Sequence, residues 1–112
     1  GHCYAAKLPG KRILHLMYCE YEYWVRDKVH QGIGSMSAGP EWQRFIDARL
    51  GIMRRSGVLP DDSVKKRVFE IGCSEGIVLH ELQRLGHEAE GCEMNKAIVD
   101  AAAQHLKVPI HT

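Results

Sequence analysis

The stretch KRVFEIGCSEG, residues 66–76, decides the fold. Val68-Phe69-Glu70-Ile71 is a short run of strand-forming side chains, and Gly72 stops it, so the run reads as a buried strand leading into a tight turn. After Gly76 the period changes. Val78, Leu79, Leu82 and Leu85 fall on one helical face and Gly86 ends the run, which predicts a helix directly behind the turn. Residues 88–94 form a second short strand that contains Gly91, and Asn95 is suited to cap a helix whose buried side is Ile98, Ala101, Ala102 and Leu106. Val108-Pro109-Ile110 opens a third strand. Strand, helix, strand, helix, strand with short connections predicts an α/β fold with a parallel sheet and right-handed crossovers.

Upstream of this core the chain reads as helical. The first twelve residues have no period and contain Pro9-Gly10, the mark of a loosely held arm. From Ile13 an aromatic stretch with Tyr18, Tyr21, Tyr23, Trp24, Val25 and Val29 predicts a helix to about Gln31, and residues 32–39 are a glycine- and serine-rich loop. Pro40 and Glu41 suit the first turn of the next helix, where a missing N–H costs nothing and a negative charge meets the positive helix end. Its apolar stripe is Trp42, Phe45, Ile46, Leu50 and Met53, while Arg44, Asp47, Arg54 and Arg55 fall off it. Ser56-Gly57 supplies the stop, and residues 60–63 a turn. The expected division is a helical region over 1–63 and a partial Rossmann-like unit over 64–112.

Composition sets the outer limits. At 112 residues the chain has room for one compact unit, and 45% apolar with 26% charged residues is ordinary for a globular protein. Fifteen basic against 14 acidic side chains give no field that steers toward nucleic acid. No apolar run approaches the roughly 20 residues of a membrane span, and no secretory signal stands at the start, so the expected location is the cytoplasm. The four cysteines, Cys3, Cys19, Cys73 and Cys92, lie in unrelated contexts and read as reduced thiols. His2, Cys3, His15 and Cys19 lack the paired spacing of a zinc module, so no metal is expected.

The spacing inside the turn separates ligand classes. A phosphate-cradling loop starting at Gly72 requires glycine at position 77, followed by lysine, and the chain has Ile77. A dinucleotide turn requires glycine at 72, 74 and 77, and the chain has Ser74 and Ile77. What stands there is an acid at Glu70 with glycines at 72 and 76. Together with the helix IVLHELQRLGH (77–87) and the strand EAEGCEMN (88–95), this resembles the first motifs of class I S-adenosylmethionine-dependent methyltransferases. The resemblance covers Lys66 to Thr112 and departs from the family at Ser74, where a third glycine is usual.

The resemblance implies the first three strands of a methyltransferase sheet preceded by helices, and S-adenosylmethionine as cofactor. It also implies a cofactor-binding set of Glu70, Gly72, Cys73, Ser74, Gly76, Glu93 and Met94. Gly72 and Gly76 would let backbone approach the ligand. Glu93, 17 positions after Gly76, matches the acid that accepts hydrogen bonds from both ribose hydroxyls. Met94 matches an apolar residue at the adenine edge, with a core methionine as the alternative. Glu70 matches the strand acid that holds the turn and helps place the methionine amino group. Tyr21, Tyr23 and Trp24 read as core, with a cation–π cover over the sulfonium as the alternative.

Acceptor-side residues of this family follow the third strand, so no catalytic residue is assigned, the methyl acceptor stays open, and a truncated fragment is expected. A first strand without a neighbour on its far side exposes an edge, which predicts self-association there. The alternatives to the methyltransferase reading are a non-catalytic α/β fragment that self-associates and a nucleotide-binding oxidoreductase half-domain.

Overall fold

A computed structural model of the chain describes residues 10–16, 40–59 and 63–112. Its elements run α1 (Lys11–His15), α2 (Pro40–Arg55), β1 (Arg67–Ile71), α3 (Ile77–Arg84), β2 (Glu88–Cys92), α4 (Lys96–His105) and β3 (Ile110–His111). The strands form one parallel sheet in the order β1-β2-β3, so the α/β class read from the alternation of periods stands. Most of the aromatic helix expected from Ile13 to Gln31, the loop over 32–39 and the start of the turn over 60–63 lie outside the described residues. The helix α1 starts at Lys11 behind Gly10, two residues before the expected Ile13.

Two strand boundaries also shift, each for a backbone reason. β3 begins at Ile110 rather than Val108, because Pro109 has no N–H to give; its carbonyl accepts from Gly91 N–H at 3.1 Å instead. β2 ends at Cys92 rather than Met94: Glu93 N–H still donates to the His111 carbonyl of β3 at 2.9 Å, but the Glu93 side chain accepts from Asn95 N–H and the chain turns there into α4. The Asn95 cap is as expected: its side-chain oxygen accepts from Ala97 N–H at 3.1 Å and from Ile98 N–H at 3.4 Å.

The register pairs Arg67 with Glu88, Phe69 with Glu90 and Ile71 with Cys92, and Cys92 with His111 on the other side. Because side chains alternate along a strand, these residues share one face, and Val68, Glu70, Ala89 and Gly91 share the other. Ala89 and Gly91 are buried, whereas Phe69 is 54% and Ile71 84% exposed. One face of the sheet is therefore covered and the other open among the described residues. On the open face the ring of His111 stacks on Phe69, with centroids 6.3 Å apart, and meets the Glu90 carboxylate at 3.0 Å.

A single core joins the helix α2 to the sheet. Ile46, Leu50 and Leu59 pack in one cluster with Cys73, Ile77, Val78, Leu79, Leu82, Ala89, Leu106 and Val108. The core thus crosses residue 63, where the sequence suggests a division. Phe45 of the predicted stripe is 41% exposed and edge-on to Trp42, so it lies at the rim of the helix face. Gly57 (φ +76°) and Gly86 (φ +92°) end their helices in the left-handed conformation, as their positions imply.

Gly91 fixes how closely β1 and α3 sit against β2. A Cβ there would stand 2.6 Å from the Glu70 carbonyl oxygen, 2.8 Å from Leu79 Cδ1 and 2.9 Å from Cys73 Sγ. One of those neighbours is backbone and cannot swing away. Gly91→Ala is therefore expected to destabilise the fold by about 3 kcal/mol, the upper end for an overpacked core. A urea denaturation midpoint equal to wild type would contradict this placement.

Candidate functional site

The strand-to-helix turn lies at the carboxyl ends of β1 and β2, the position where open α/β sheets bind ligands. The Cys92 carbonyl accepts from both Gly72 N–H (2.8 Å) and Cys73 N–H (3.0 Å), so β1 stays attached to β2 one step beyond the strand itself. Gly76 N–H then donates to the Cys73 carbonyl at 2.9 Å, closing the turn over residues 73–76. The backbone enters the left-handed region three times within it, at Gly72 (φ +71°), Ser74 (φ +52°) and Gly76 (φ +74°).

These three positions match the glycines of the resembling motif, and the structure separates their roles. A Cβ on Gly72 would meet nothing within 4 Å, so its backbone is open to an approaching group. A Cβ on Gly76 would stand 2.9 Å from Ile110 Cδ1, so the room above this residue is taken by β3. Gly76 thus lets the third strand close on the turn. Ser74 carries a side chain in a conformation that costs an L-residue roughly 1–2 kcal/mol. Its hydroxyl donates to Glu75 Oε2 at 2.5 Å, a charge-assisted bond that offsets part of the strain.

Glu93 binds the turn to the next helix. Its Oε2 accepts from Ser74 N–H at 3.0 Å and its Oε1 from Asn95 N–H at 2.9 Å. Each carboxylate oxygen has a further lone pair beyond the one so engaged. The group is therefore fixed in orientation while keeping acceptor capacity. Met94, beside it, is 52% exposed, which excludes the core alternative for this residue.

Glu70 behaves differently from the expectation that it holds the turn. Among the described residues its Oε2 is buried without a hydrogen-bond partner, and the carboxylate bonded to the turn is that of Glu93. Burial pushes the Glu70 carboxyl above its usual range, and the positive charge of Arg49 on α2 partly offsets that. The Cys73 thiol is pushed up to about 11, first by burial and then by the negative charges of Glu70 and Glu93. It therefore stays protonated at neutral pH and is no nucleophile. Cys73 and Cys92 are both free thiols, as expected.

The structure thus brings Glu70, Gly72, Cys73, Ser74, Glu93 and Met94 to one end of the sheet, with Gly76 beneath them. It adds a residue that the sequence reading passed over. Arg49 lies with its guanidinium carbon 5.1 Å from the Phe45 ring centroid, next to the buried Leu50 on α2. The signal was present as an aromatic and an arginine four residues apart on one helix face. Tyr21, Tyr23 and Trp24 lie outside the described residues, and no group of three metal-ligating side chains occurs among those described. A concavity of about 680 Å³ lined by Arg67, Phe69, Gln83, His87, Glu88 and Pro109 lies at the amino ends of β1 and β2 and contains none of the turn residues.

The strain at residue 74 is measurable. Ser74→Ala removes the bond to Glu75 and keeps the left-handed cost, whereas Ser74→Gly removes both. The glycine variant is expected to be more stable than the alanine variant by about 1 kcal/mol, read as the difference of their denaturation midpoints. Equal midpoints would mean that the turn carries no such strain. No protein-family model, no curated protein and no solved structure matches the chain.

Proposed function

We propose that the turn over residues 72–76 and Glu93 bind S-adenosylmethionine, and that the chain is the cofactor-binding part of a class I methyltransferase with a Rossmann-like sheet. The observation that carries this reading is the Glu93 carboxylate, fixed by Ser74 N–H and Asn95 N–H at the carboxyl ends of the strands. A vicinal diol offers two O–H donors to a two-oxygen acceptor, and an acceptor already oriented loses little freedom when it binds. The open backbone at Gly72 gives the ligand room to approach, and exposed Met94 offers an apolar edge for a purine. The spacing of the turn supports this ligand over a dinucleotide or a triphosphate.

When bound, the cofactor supplies a methyl group on a sulfonium, which is transferred by in-line displacement. The residues named here hold and orient it. Glu93 takes the ribose hydroxyls, Gly72 admits the ligand to the turn, and Glu70 faces its amino-acid end. A net positive sulfonium also suits a turn surrounded by the carboxylates of Glu70, Glu75 and Glu93.

Calorimetric titration with S-adenosylhomocysteine, and separately with NAD, tests the reading. Binding of the first and not the second is expected. Glu93→Ala should weaken S-adenosylhomocysteine by about tenfold to a hundredfold, the loss of charge-assisted bonds to the diol, with circular dichroism verifying the fold. Unchanged affinity in a folded variant would remove Glu93 from the site.

A second reading rests on the open sheet face. Phe69 and Ile71 project from β1, which pairs only with β2 among the described residues. Parallel strands are normally covered on both faces, and an uncovered edge strand recruits another chain. A self-associating α/β fragment without catalysis fits those exposures. Sedimentation at increasing concentration should then show dimers that Phe69→Lys and Ile71→Lys reduce. A folded monomer throughout the range would end this reading.

A further inference from the structure

We propose that Asn95 is a positioning residue for the diol acceptor: its cap on α4 sets the direction of the backbone N–H that holds Glu93 Oε1. The inference rests on the reading of Glu93 as the group that takes the ribose hydroxyls, and adds to it a side chain that acts only through Glu93.

Glu93 is held from three sides. Its backbone stays on the sheet, since Glu93 N–H donates to the His111 carbonyl at 2.9 Å. Its carboxylate is fixed at Oε2 by Ser74 N–H of the turn at 3.0 Å and at Oε1 by Asn95 N–H at 2.9 Å. The Asn95 contact is only as well directed as the peptide that carries it. Asn95 stands at the extended entry to α4 (φ −87°, ψ 97°), where the helix has no carbonyl to receive its N–H. Nothing in the ladder of α4 fixes where that N–H points.

The Asn95 side chain supplies what the ladder does not. Its Oδ1 accepts from Ala97 N–H at 3.1 Å and from Ile98 N–H at 3.4 Å, and its carbonyl accepts from Ile98 N–H at 3.1 Å and Val99 N–H at 3.2 Å. The residue is 2% exposed, so water does not compete for these bonds. Rotation at residue 95 is thereby locked from the helix side, with the N–H aimed at Glu93. The first turn of α4 holds no acidic side chain, and the Glu93 carboxylate meets the positive end of the helix instead. Cap and acceptor form one unit. Without the cap, Asn95 N–H swings and Glu93 loses one of its two fixed oxygens, an ordering that the ligand must then restore on binding.

Calorimetric titration of the 112-residue chain with S-adenosylhomocysteine, in the presence and absence of the Glu93 carboxylate, separates positioning from a structural role. Asn95→Ala keeps the backbone N–H and removes the cap, and should lower the affinity by about fivefold, the most that one cap can contribute. Asn95→Ser, whose hydroxyl can accept the same bonds, should recover most of the loss. In the Glu93→Ala background Asn95→Ala should cost nothing further, because no carboxylate is left to position. If the alanine variant does not fold by circular dichroism, Asn95→Gly, which also lacks the acceptor and is milder on the helix, gives the same comparison. Wild-type affinity in a folded variant without the cap overturns the assignment and leaves the cofactor reading standing. An equal loss with and without Glu93 overturns it as well. If the wild-type chain does not bind S-adenosylhomocysteine, the cofactor reading fails and this inference with it.

Discussion

The closeness of β1 to β2 at Gly91 is the constraint on which the rest of the structure depends. No Cβ fits between this residue and the Glu70 carbonyl, Leu79 and Cys73. With that space empty, β1 closes on β2 far enough for the Cys92 carbonyl to take two N–H groups from the turn. Leu79 and Leu82 then reach full burial over the sheet. The same closeness carries the end of β2 alongside the turn, and so brings Glu93 within 3.0 Å of Ser74 N–H. A packing restriction in the core thus sets the geometry of the site.

The turn itself is costly backbone held by local partners. Three left-handed residues in a row of alternate positions are tolerated because two are glycine and the third gains a bond to Glu75. Glycine at each position serves a different neighbour. Gly72 leaves space above the backbone, and Gly76 gives its space to Ile110 of β3. The turn is consequently rigid on the side facing the core and accessible on the side facing Glu93 and Met94. Burial pushes up both the Glu70 carboxyl and the Cys73 thiol at its edge, the carboxylates of Glu70 and Glu93 adding to the shift of the thiol.

Much of the fold was legible because it rests on local periodicity. The switch from Val68-Phe69-Glu70-Ile71 to the helical spacing of Leu79 and Leu82, the Asn95 cap and the glycine stops at 57 and 86 are all short-range signals, and each stands in the structure. The candidate site was legible only as a set of residue types at a spacing. Gly91 reads in the sequence only as a glycine inside a short strand, whereas the structure requires it because of a neighbour 21 residues earlier in the chain, Glu70. The core that α2 shares with the sheet is likewise announced by no local pattern.

By itself, the sequence determined the α/β alternation and the position of the turn between strand and helix. Those follow from side-chain period and from which residues accept positive φ. Tertiary structure alone decided which acid holds the turn, Glu93 rather than Glu70, and which glycine stays open, Gly72 rather than Gly76. The reason is distance along the chain: hydrogen bonds and charges that join residues about 20 positions apart depend on how two strands and a helix pack, and packing leaves no periodic trace in the sequence.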